Sequence, residues 1–270
     1  MKRILTVILF LGLAQLAFSQ DSNQEDIKNV EFQQIHFLGN MEANHYENEF
    51  DVGGRLNTDG WSVYLELEKK KNEKFWNLYH FEVGEIKSLK ESKESRILQS
   101  NRYRIGRGRR YVYGKKNIFY QIRFGYGQRR IIGHKGNQHG VEVSAIYMAG
   151  VSLGLMRPYY LQLLDSSGQS YYAKYTPESS ADFLNRNAIL QSGGMKYGWD
   201  ELKVIPGFYA RLGMRFDWAQ YNKFVSALEV GVIGTYYTKD AQIMVKEDGK
   251  NFFYGAYISL LFGKRWKISN

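Results

Sequence analysis

Charged side chains recur at every second position within otherwise apolar segments of this chain. Between residues 204 and 218, Arg211, Arg215 and Asp217 alternate with aliphatic and aromatic residues. Side chains of both signs on one face of a segment can form ion pairs with one another, or can line a polar passage for ions. Serine, histidine and carboxylate groups in such segments could instead form a hydrolytic site.

The charged residues that share this parity define a candidate polar network. Its members are Arg55, Glu66, Glu68, His80, Glu82, Arg123, Glu142, Arg211, Arg215, Asp217 and Glu229. Two interpretations remain open, namely a plug of ion pairs and hydrogen bonds, and the selectivity region of a narrow pore. We predict no catalytic residue, because His80, Ser144 and Ser152 have the parity of the charged face, whereas a lipid hydrolase needs them on the membrane face.

Metal and thiol chemistry receive little support from the residues. The chain has no cysteine, which excludes cysteine-based metal sites and thiol catalysis. His134 and His139 are five residues apart in a short connection with no carboxylate between them, which is a weak metal signal. We therefore predict no metal site and no cofactor.

A second candidate site is a basic and aromatic run from Asn101 to Lys116 that contains no acidic residue. Its cations are Arg102, Arg104, Arg107, Arg109, Arg110, Lys115 and Lys116. Arginine can hold a phosphate through two parallel hydrogen bonds, so this run is predicted to bind lipid or lipopolysaccharide phosphate. The alternative is a solvated basic loop with no single ligand. Export argues against a nucleic-acid partner, although the whole chain carries a formal charge of +10.

The two-residue period predicts the elements that position these side chains. Only a β-strand places alternate residues on opposite faces, and the period recurs in eight segments. They start near residues 48, 60, 74, 117, 139, 201, 223 and 251. Short and long connections alternate along the chain, which is typical of periplasmic turns and outer loops. The sequence thus predicts an all-β fold, an antiparallel transmembrane β-barrel of about eight strands with long outer loops.

Other architectures are compatible with some of these features. A barrel of ten strands is possible as well. The segment 141–164 could form a hairpin, but its parity does not flip, which favours one strand. A soluble sandwich or barrel would need a second face rich in Lys, Glu and Thr, whereas glycine, serine, tyrosine and scattered charges occupy it here. Tryptophan and tyrosine near strand ends, at Trp61, Trp218, Tyr236 and Trp266, are typical of membrane interfaces.

The N-terminal residues indicate export. Lys2 and Arg3 precede an apolar run, and Ala17 and Ser19 form a small-residue cleavage pattern, so cleavage is expected near Ser19 and Gln20. Residues 1–19 are thus a predicted signal peptide, 20–46 a periplasmic lead-in, and 47–270 the outer-membrane barrel. The apolar run is short for a membrane anchor, and no later run of about 18 apolar residues predicts a spanning helix.

Four stretches resemble a known group of proteins. They are Gly53–Trp61, Phe119–Gly127, Gly154–Tyr160 and Phe252–Arg265. Together they resemble exported, uncharacterised outer-membrane β-barrel proteins of Bacteroidota. The resemblance implies the barrel and its compartment, and it transfers no active residue. The C-terminus departs from the usual final aromatic residue, since Lys267 to Asn270 follow Trp266.

These observations predict a non-enzymatic envelope protein with a structural or binding role and a plugged polar lumen. Its expected partners are outer-membrane lipid and lipopolysaccharide, while protein partners stay unspecified. Two alternatives remain open at this point, a barrel enzyme that modifies lipid A or phospholipid, and a narrow solute channel.

Overall fold

The structure of the protein is a computed structural model. The model describes residues 46–95, 97–99, 104–135, 140–165, 167–219 and 223–267, with side chains omitted at 97–99 and 104–107. The predicted signal peptide and all but the last residue of the predicted lead-in lie outside these residues. Fifteen strands and one short helix occur in the described part of the chain. They are β1 (Asn48–Asn57), β2 (Gly60–Lys70), β3 (Phe75–Ile86), β4 (Lys93–Glu94), β5 (Ile97–Gln99), β6 (Arg104–Arg107), β7 (Tyr111–Val112), β8 (Asn117–Gly133), β9 (Glu142–Pro158), β10 (Tyr160–Leu164), β11 (Ser170–Lys174), α1 (Ser180–Phe183), β12 (Ile189–Ser192), β13 (Lys203–Asp217), β14 (Phe224–Ala241) and β15 (Lys250–Trp266).

Eight of these strands close into an antiparallel barrel. Their order around the barrel is β1-β15-β14-β13-β9-β8-β3-β2, and β1 pairs with both β2 and β15. The predicted all-β, eight-stranded antiparallel barrel is therefore confirmed. The ten-stranded alternative is wrong, because eight strands close the barrel. The hairpin alternative for 141–164 is wrong too, because this segment contributes one barrel strand, β9, after which β10 leaves the barrel.

The connections differ in length between the two ends of the barrel. At the end that carries both termini of the barrel they span residues 71–74, 134–141 and 218–223, and we call this the inner end. At the opposite, outer end they span 87–116, 159–202 and 242–249, besides the turn at 58–59. β8 continues to Gly133, so the connection from β8 to β9 spans only residues 134–141.

The outside of the barrel is apolar along the strands. On β13, Val204, Phe208 and Leu212 are 55–63% exposed, whereas the intervening Tyr209 and Arg211 are buried in the lumen. This alternation, apolar outside and polar inside, is that of a barrel that crosses a membrane. Among the described residues, no helix is long and apolar enough to span a bilayer.

Glycines on the lumen face allow close packing between neighbouring strands and the tyrosines that fill the interior. A Cβ at Gly150 of β9 would lie 2.0 Å from the backbone oxygen of Phe124 on β8. A Cβ at Gly125, the residue paired with Gly150, would lie 2.1 Å from the hydroxyl of Tyr209. The absence of side chains at this pair leaves the space that the tyrosine occupies.

The outer loops form a small folded layer of their own. β10 pairs with β11 on one side and β12 on the other. One face of this outer sheet packs in an apolar core that includes Leu161, Leu163, Phe183 and Ile189. Ile118, at the outer end of β8, belongs to the same core, so the outer sheet is joined to the barrel wall.

Candidate functional site

Arg215 of β13 lies at the centre of the charged groups in the lumen. Its Nη1 donates to Asp51 Oδ2 at 3.2 Å and to Glu68 Oε1 at 2.7 Å. Its Nη2 donates to Glu66 and, at 3.3 Å, to Glu229 Oε2. All five side chains are fully buried. Because β2 lies opposite β13 in the barrel, the bonds to Glu66 and Glu68 cross the lumen.

His80 of β3 lies between two carboxylates. Its Nδ1 is 3.0 Å from Glu66 Oε1, and its Nε2 is 2.9 Å from Glu82 Oε2. Since an ionised carboxylate only accepts hydrogen bonds, both contacts are hydrogen bonds only when both ring nitrogens carry protons. Arg211 donates to the same Glu66 oxygen at 2.7 Å, and Arg123 donates to Glu82 Oε1 at 2.8 Å.

Arg55 of β1 combines ion pairing with aromatic contacts. Its Nη1 donates to Glu82 Oε2 at 2.6 Å, and its Nη2 is 3.8 Å from Glu229 Oε1. The guanidinium carbon lies 4.4 Å from the ring centroid of Tyr64 and 4.6 Å from that of Tyr257. Such desolvated cation–π contacts add to the stabilisation that the carboxylates supply.

The inner end of the lumen has its own set of ion pairs. Arg129 of β8 donates to Glu49 Oε2 at 2.9 Å and to Glu142 Oε1 at 3.2 Å. Arg265 of β15 donates to the same Glu49 oxygen at 2.6 Å and to Asp217 Oδ2 at 2.9 Å. These contacts join β1, β8, β9, β13 and β15 just above the short turns.

We call these charged groups the lumen network. In the described part of the chain it comprises Glu49, Asp51, Glu66, Glu68, Glu82, Glu142, Asp217, Glu229, Arg55, Arg123, Arg129, Arg211, Arg215, Arg265 and His80. Lys135 Nζ approaches Asp217 Oδ1 at 3.4 Å. The eight carboxylates of the network therefore face eight cationic groups, namely its six arginines, Lys135 and, when protonated, His80. The charges in the lumen are thus close to balanced.

The structure brings together all eleven side chains of the candidate polar network and adds four. The four that sequence reasoning missed are Glu49, Asp51, Arg129 and Arg265. A signal for each was present, because each continues the parity of its strand. Glu49, Arg129 and Arg265 lie beyond the apolar positions that define their strands, and Asp51 has the same parity as Arg55 on β1.

Three carboxylates of the network could in principle hold a cation. Oxygen atoms of Glu49, Asp51 and Glu68 lie within 4.8 Å of one another. Arg215 Nη1 already lies among them, 2.7 Å from Glu68, 3.2 Å from Asp51 and 3.6 Å from Glu49. The guanidinium therefore supplies the positive charge that a metal ion would otherwise provide.

An apolar cap closes the lumen at its outer end. It consists of Ile86, Val112, Phe119, Ile205, Tyr237, Ala241, Ile243 and Met244. The rings of Phe119 and Tyr237 meet edge to face, with 5.0 Å between centroids. Ile243 belongs to the loop 242–249, and its carbonyl accepts hydrogen bonds from the amides of Lys116 and Asn117 at 2.8 and 3.1 Å. These bonds hold the loop across the mouth of the barrel.

His80, Ser152 and Ser259 in the lumen are engaged in other contacts. Ser152 Oγ is 3.0 Å from the hydroxyl of Tyr237, and Ser259 Oγ is 3.1 Å from that of Tyr64. Both ring nitrogens of His80 face carboxylates. Neither nitrogen is therefore placed to take a proton from a serine hydroxyl.

The structure describes the side chains of four of the seven predicted phosphate-binding cations. Arg102 lies outside the described residues, and only the backbones of Arg104 and Arg107 are described, in β6. Arg109 and Arg110 are exposed. The remaining two are Lys115 and Lys116.

Both lysines have partners within the protein. Lys115 is 3% exposed, and its Nζ donates to both carboxylate oxygens of Glu91 at 2.9 Å. Lys116 is half-buried, and its Nζ donates to Gln242 Oε1 at 2.6 Å. The exposed arginines are thus better placed than the lysines to meet an external phosphate.

A polar cluster fixes the outer sheet to the segment before β13. Glu201 accepts hydrogen bonds from Lys174 of β11 and from the hydroxyl of Tyr160 of β10, the latter at 2.6 Å. These bonds, chiefly that from Lys174, hold the pKa of Glu201 below its ordinary value. The carboxylate in turn raises the pKa of Tyr160 to about 12.

Comparisons with known proteins find similar solved structures but no sequence family. No family model matches it, and no curated protein sequence matches it. Among solved structures, it is similar to Ail, the attachment invasion locus protein of Yersinia pestis, in a complex with the heparin analogue sucrose octasulfate. The two share 11% identity, with a TM-score of 0.37, and the match covers 82% of this chain and 99% of Ail.

Two further structures show a comparable likeness. The N-terminal β-barrel domain of Pseudomonas aeruginosa OprF matches with 8% identity and a TM-score of 0.35, over 81% of this chain and 97% of that one. Neisserial surface protein A matches with 9% identity and a TM-score of 0.36, over 82% and 97%. The barrel fold is shown by the strand pairing of this chain itself.

Proposed function

We propose that this protein is a sealed outer-membrane barrel, without enzymatic activity, whose outer loops bind the phosphate groups of lipid or lipopolysaccharide. The observation that carries the proposal is the content of the lumen. The lumen network crosses the barrel with buried ion pairs, and the apolar cap closes the outer end. An eight-stranded barrel is just wide enough to be filled by its side chains.

The filled lumen favours a plug over a channel. Each buried charge has partners of opposite charge, and removing such a partner destabilises the barrel strongly. Opening the network to form a passage would therefore cost free energy. Water and solutes would also have to pass the apolar cap. A sealed lumen predicts electrical silence in a planar lipid bilayer, whereas a narrow channel would conduct.

The contacts of both His80 ring nitrogens with carboxylates disfavour the hydrolase alternative. A serine nucleophile needs a base that accepts its proton at hydrogen-bond distance. His80 is held by Glu66 and Glu82 inside the barrel, away from the lipid that such an enzyme would act on. This arrangement supports a role in stabilising the barrel.

Binding at the outer face is assigned to Arg109 and Arg110. Both are exposed, and a Cβ at Gly194 would lie 2.7 Å from Arg109 Nη1, so Arg109 lies beside the segment that leads into β13. The outer end of the barrel meets a leaflet rich in lipid phosphate. Guanidinium groups at this level can hold phosphate bidentately.

The test compares two double variants that remove the same charge. Arg109→Ser with Arg110→Ser removes the outer cations, and Lys223→Ser with Lys264→Ser removes two exposed lysines at the inner end. Each cation near an anionic surface contributes about 1 kcal/mol, so the outer variant should bind lipopolysaccharide roughly 30-fold more weakly. The inner variant should bind like the wild type.

Salt provides a second check on the same claim. Exposed charges are screened within about 8 Å at physiological ionic strength, so raising the salt concentration should weaken binding by the wild type. The outer variant should lose most of this salt dependence. Equal lipopolysaccharide affinity for the wild type and both variants would show that the arginines are merely solvated.

A further inference from the structure

We propose that the segment 193–202, just before β13, is an interfacial anchor that inserts Met195 and Trp199 into the outer leaflet. This inference rests on the proposed placement of the barrel in a membrane. It adds a lipid contact made by a loop, distinct from the strands of the barrel wall. The partner is the lipid surface at the level of the headgroups.

Trp199 lies against the outside of the barrel wall. Its ring stacks on Tyr120 of β8, with 6.0 Å between centroids and 5° between planes. Tyr120 is paired with Leu155 of β9, which is paired with Val204 of β13. Tyr120, Leu155 and Val204 therefore form one row on the outward face of the barrel, and Val204 is 55% exposed. The anchor is therefore continuous with the lipid-facing surface of the barrel.

The segment covers a charged residue on that outward face. The guanidinium carbon of Arg157 lies 4.5 Å from the ring centroid of Trp199 and 5.6 Å from that of Tyr120. Arg157 Nη1 donates to the carbonyl of Met195 at 3.1 Å, and the residue is only 2% exposed. Gly198, with φ of +85°, permits the turn that brings the indole over the guanidinium. A lipid-facing arginine is costly, and this cover shields it.

The exposed part of the segment is suited to a membrane interface. Met195 is 71% exposed and Trp199 is 49% exposed. Trp199 Nε1 donates to the carbonyl of Met195 at 2.6 Å, so the polar atom of the indole is satisfied within the segment. What remains exposed on the ring is apolar, and tryptophan is enriched at membrane interfaces. Lys196, exposed between them, can extend toward headgroup phosphates.

The absence of cysteine allows a direct test by site-specific labelling. A single cysteine is introduced as Met195→Cys in the anchor, Phe208→Cys on the outward face of β13, or Leu89→Cys in an outer loop. Phe208 is 63% exposed and Leu89 is 85% exposed. Ser88, next to Leu89, donates to Glu247 of the loop that covers the barrel mouth, which places Leu89 away from the wall. Each variant carries the environment-sensitive fluorophore NBD.

The NBD-labelled proteins are reconstituted into phosphatidylcholine vesicles with plain or nitroxide-labelled acyl chains, and the unlabelled proteins into vesicles with plain or brominated acyl chains. Heat-modifiable gel migration identifies folded material for the measurement. Interfacial side chains lie roughly 5–10 Å into the boundary region, so a nitroxide high on the acyl chain should quench the NBD emission at position 195. Position 208 should be quenched as well, and position 89 should keep its emission. The nitroxide is present in both leaflets, so it reaches the label whichever way the barrel has inserted.

The three positions separate the failure of this inference from that of the proposed function. Quenching at 208 without quenching at 195 would overturn the anchor while leaving the membrane barrel intact. Absence of quenching at 208 would overturn both. As a check without a label at 195, Trp199→Phe in the unlabelled protein should reduce the brominated-lipid quenching of total tryptophan emission. An unchanged quenching curve in that variant would also overturn the anchor.

Discussion

Replacing Arg215 by methionine should destabilise the barrel more than any exposed charge change. The substitution keeps an apolar stem but removes the cation that bonds to Asp51, Glu66, Glu68 and Glu229. The near neutrality of the lumen is then lost, because eight carboxylates face seven cationic groups. Breaking a buried ion pair by removing one partner costs about 3–5 kcal/mol, and four carboxylates place Arg215 at the upper end of that range.

Urea unfolding of the barrel in lipid vesicles, followed by heat-modifiable gel migration, measures this loss. The expected change in the unfolding equilibrium constant is roughly a hundred- to several-thousand-fold. Arg130→Met is the matched control, because Arg130 is exposed on the outward face and lies 5.6 Å from the ring of Phe75. It should cost less than about 1 kcal/mol. Adding Asp51→Asn to Arg215→Met should restore part of the stability, and an Arg215→Met barrel as stable as the control would refute the reasoning.

Three further predictions concern other parts of the molecule. Gly150→Ala should destabilise the barrel in urea or prevent its refolding, because the alanine Cβ would lie 2.0 Å from a backbone oxygen. Gly54→Ala is the control and should be tolerated, because its Cβ would have no neighbouring atom within 4 Å. Phe119→Ala in the cap should cost about 3–5 kcal/mol in the same assay, and a smaller loss would show that the cap is loosely packed. The pKa of Glu201 is lowered in the folded state, so its contact with Lys174 stabilises the outer sheet above the ordinary carboxyl pKa and is lost as pH falls through the folded pKa. Titration of Glu201 by NMR should show that Lys174→Met returns the pKa toward its ordinary value, and no change would contradict this account.

The barrel could be predicted from the sequence because its two faces meet opposite environments. Lipid outside and a polar interior impose a strict two-residue period, so the parity of Val204, Phe208 and Leu212 fixes that of Arg211 and Arg215 between them. The period also located all eight strands. The two-residue period was less informative at strand ends, where Arg129 keeps the parity but its outward neighbours, Gln128 and Arg130, are no longer apolar. The resemblance to barrels of Bacteroidota remains a prediction.

The outer loops could not be predicted from local pattern, because their contacts join distant segments. The cap combines Phe119, Ile205 and Ile243, which lie on three different parts of the chain. Lys115 looked like one more cation of a basic run, yet Glu91, 24 residues earlier, binds it in a buried site. Ion pairing and burial of this kind depend on tertiary packing, which residue spacing does not encode.

The central claim, a sealed barrel, is tested most directly by conductance across a planar lipid bilayer. Folded wild-type protein, whose insertion is verified by flotation of the same proteoliposomes, is fused with the bilayer and a voltage is applied. The lumen network and the apolar cap predict no steady current above that of protein-free vesicles. A reproducible conductance that scales with voltage and with the number of fusion events would contradict the account.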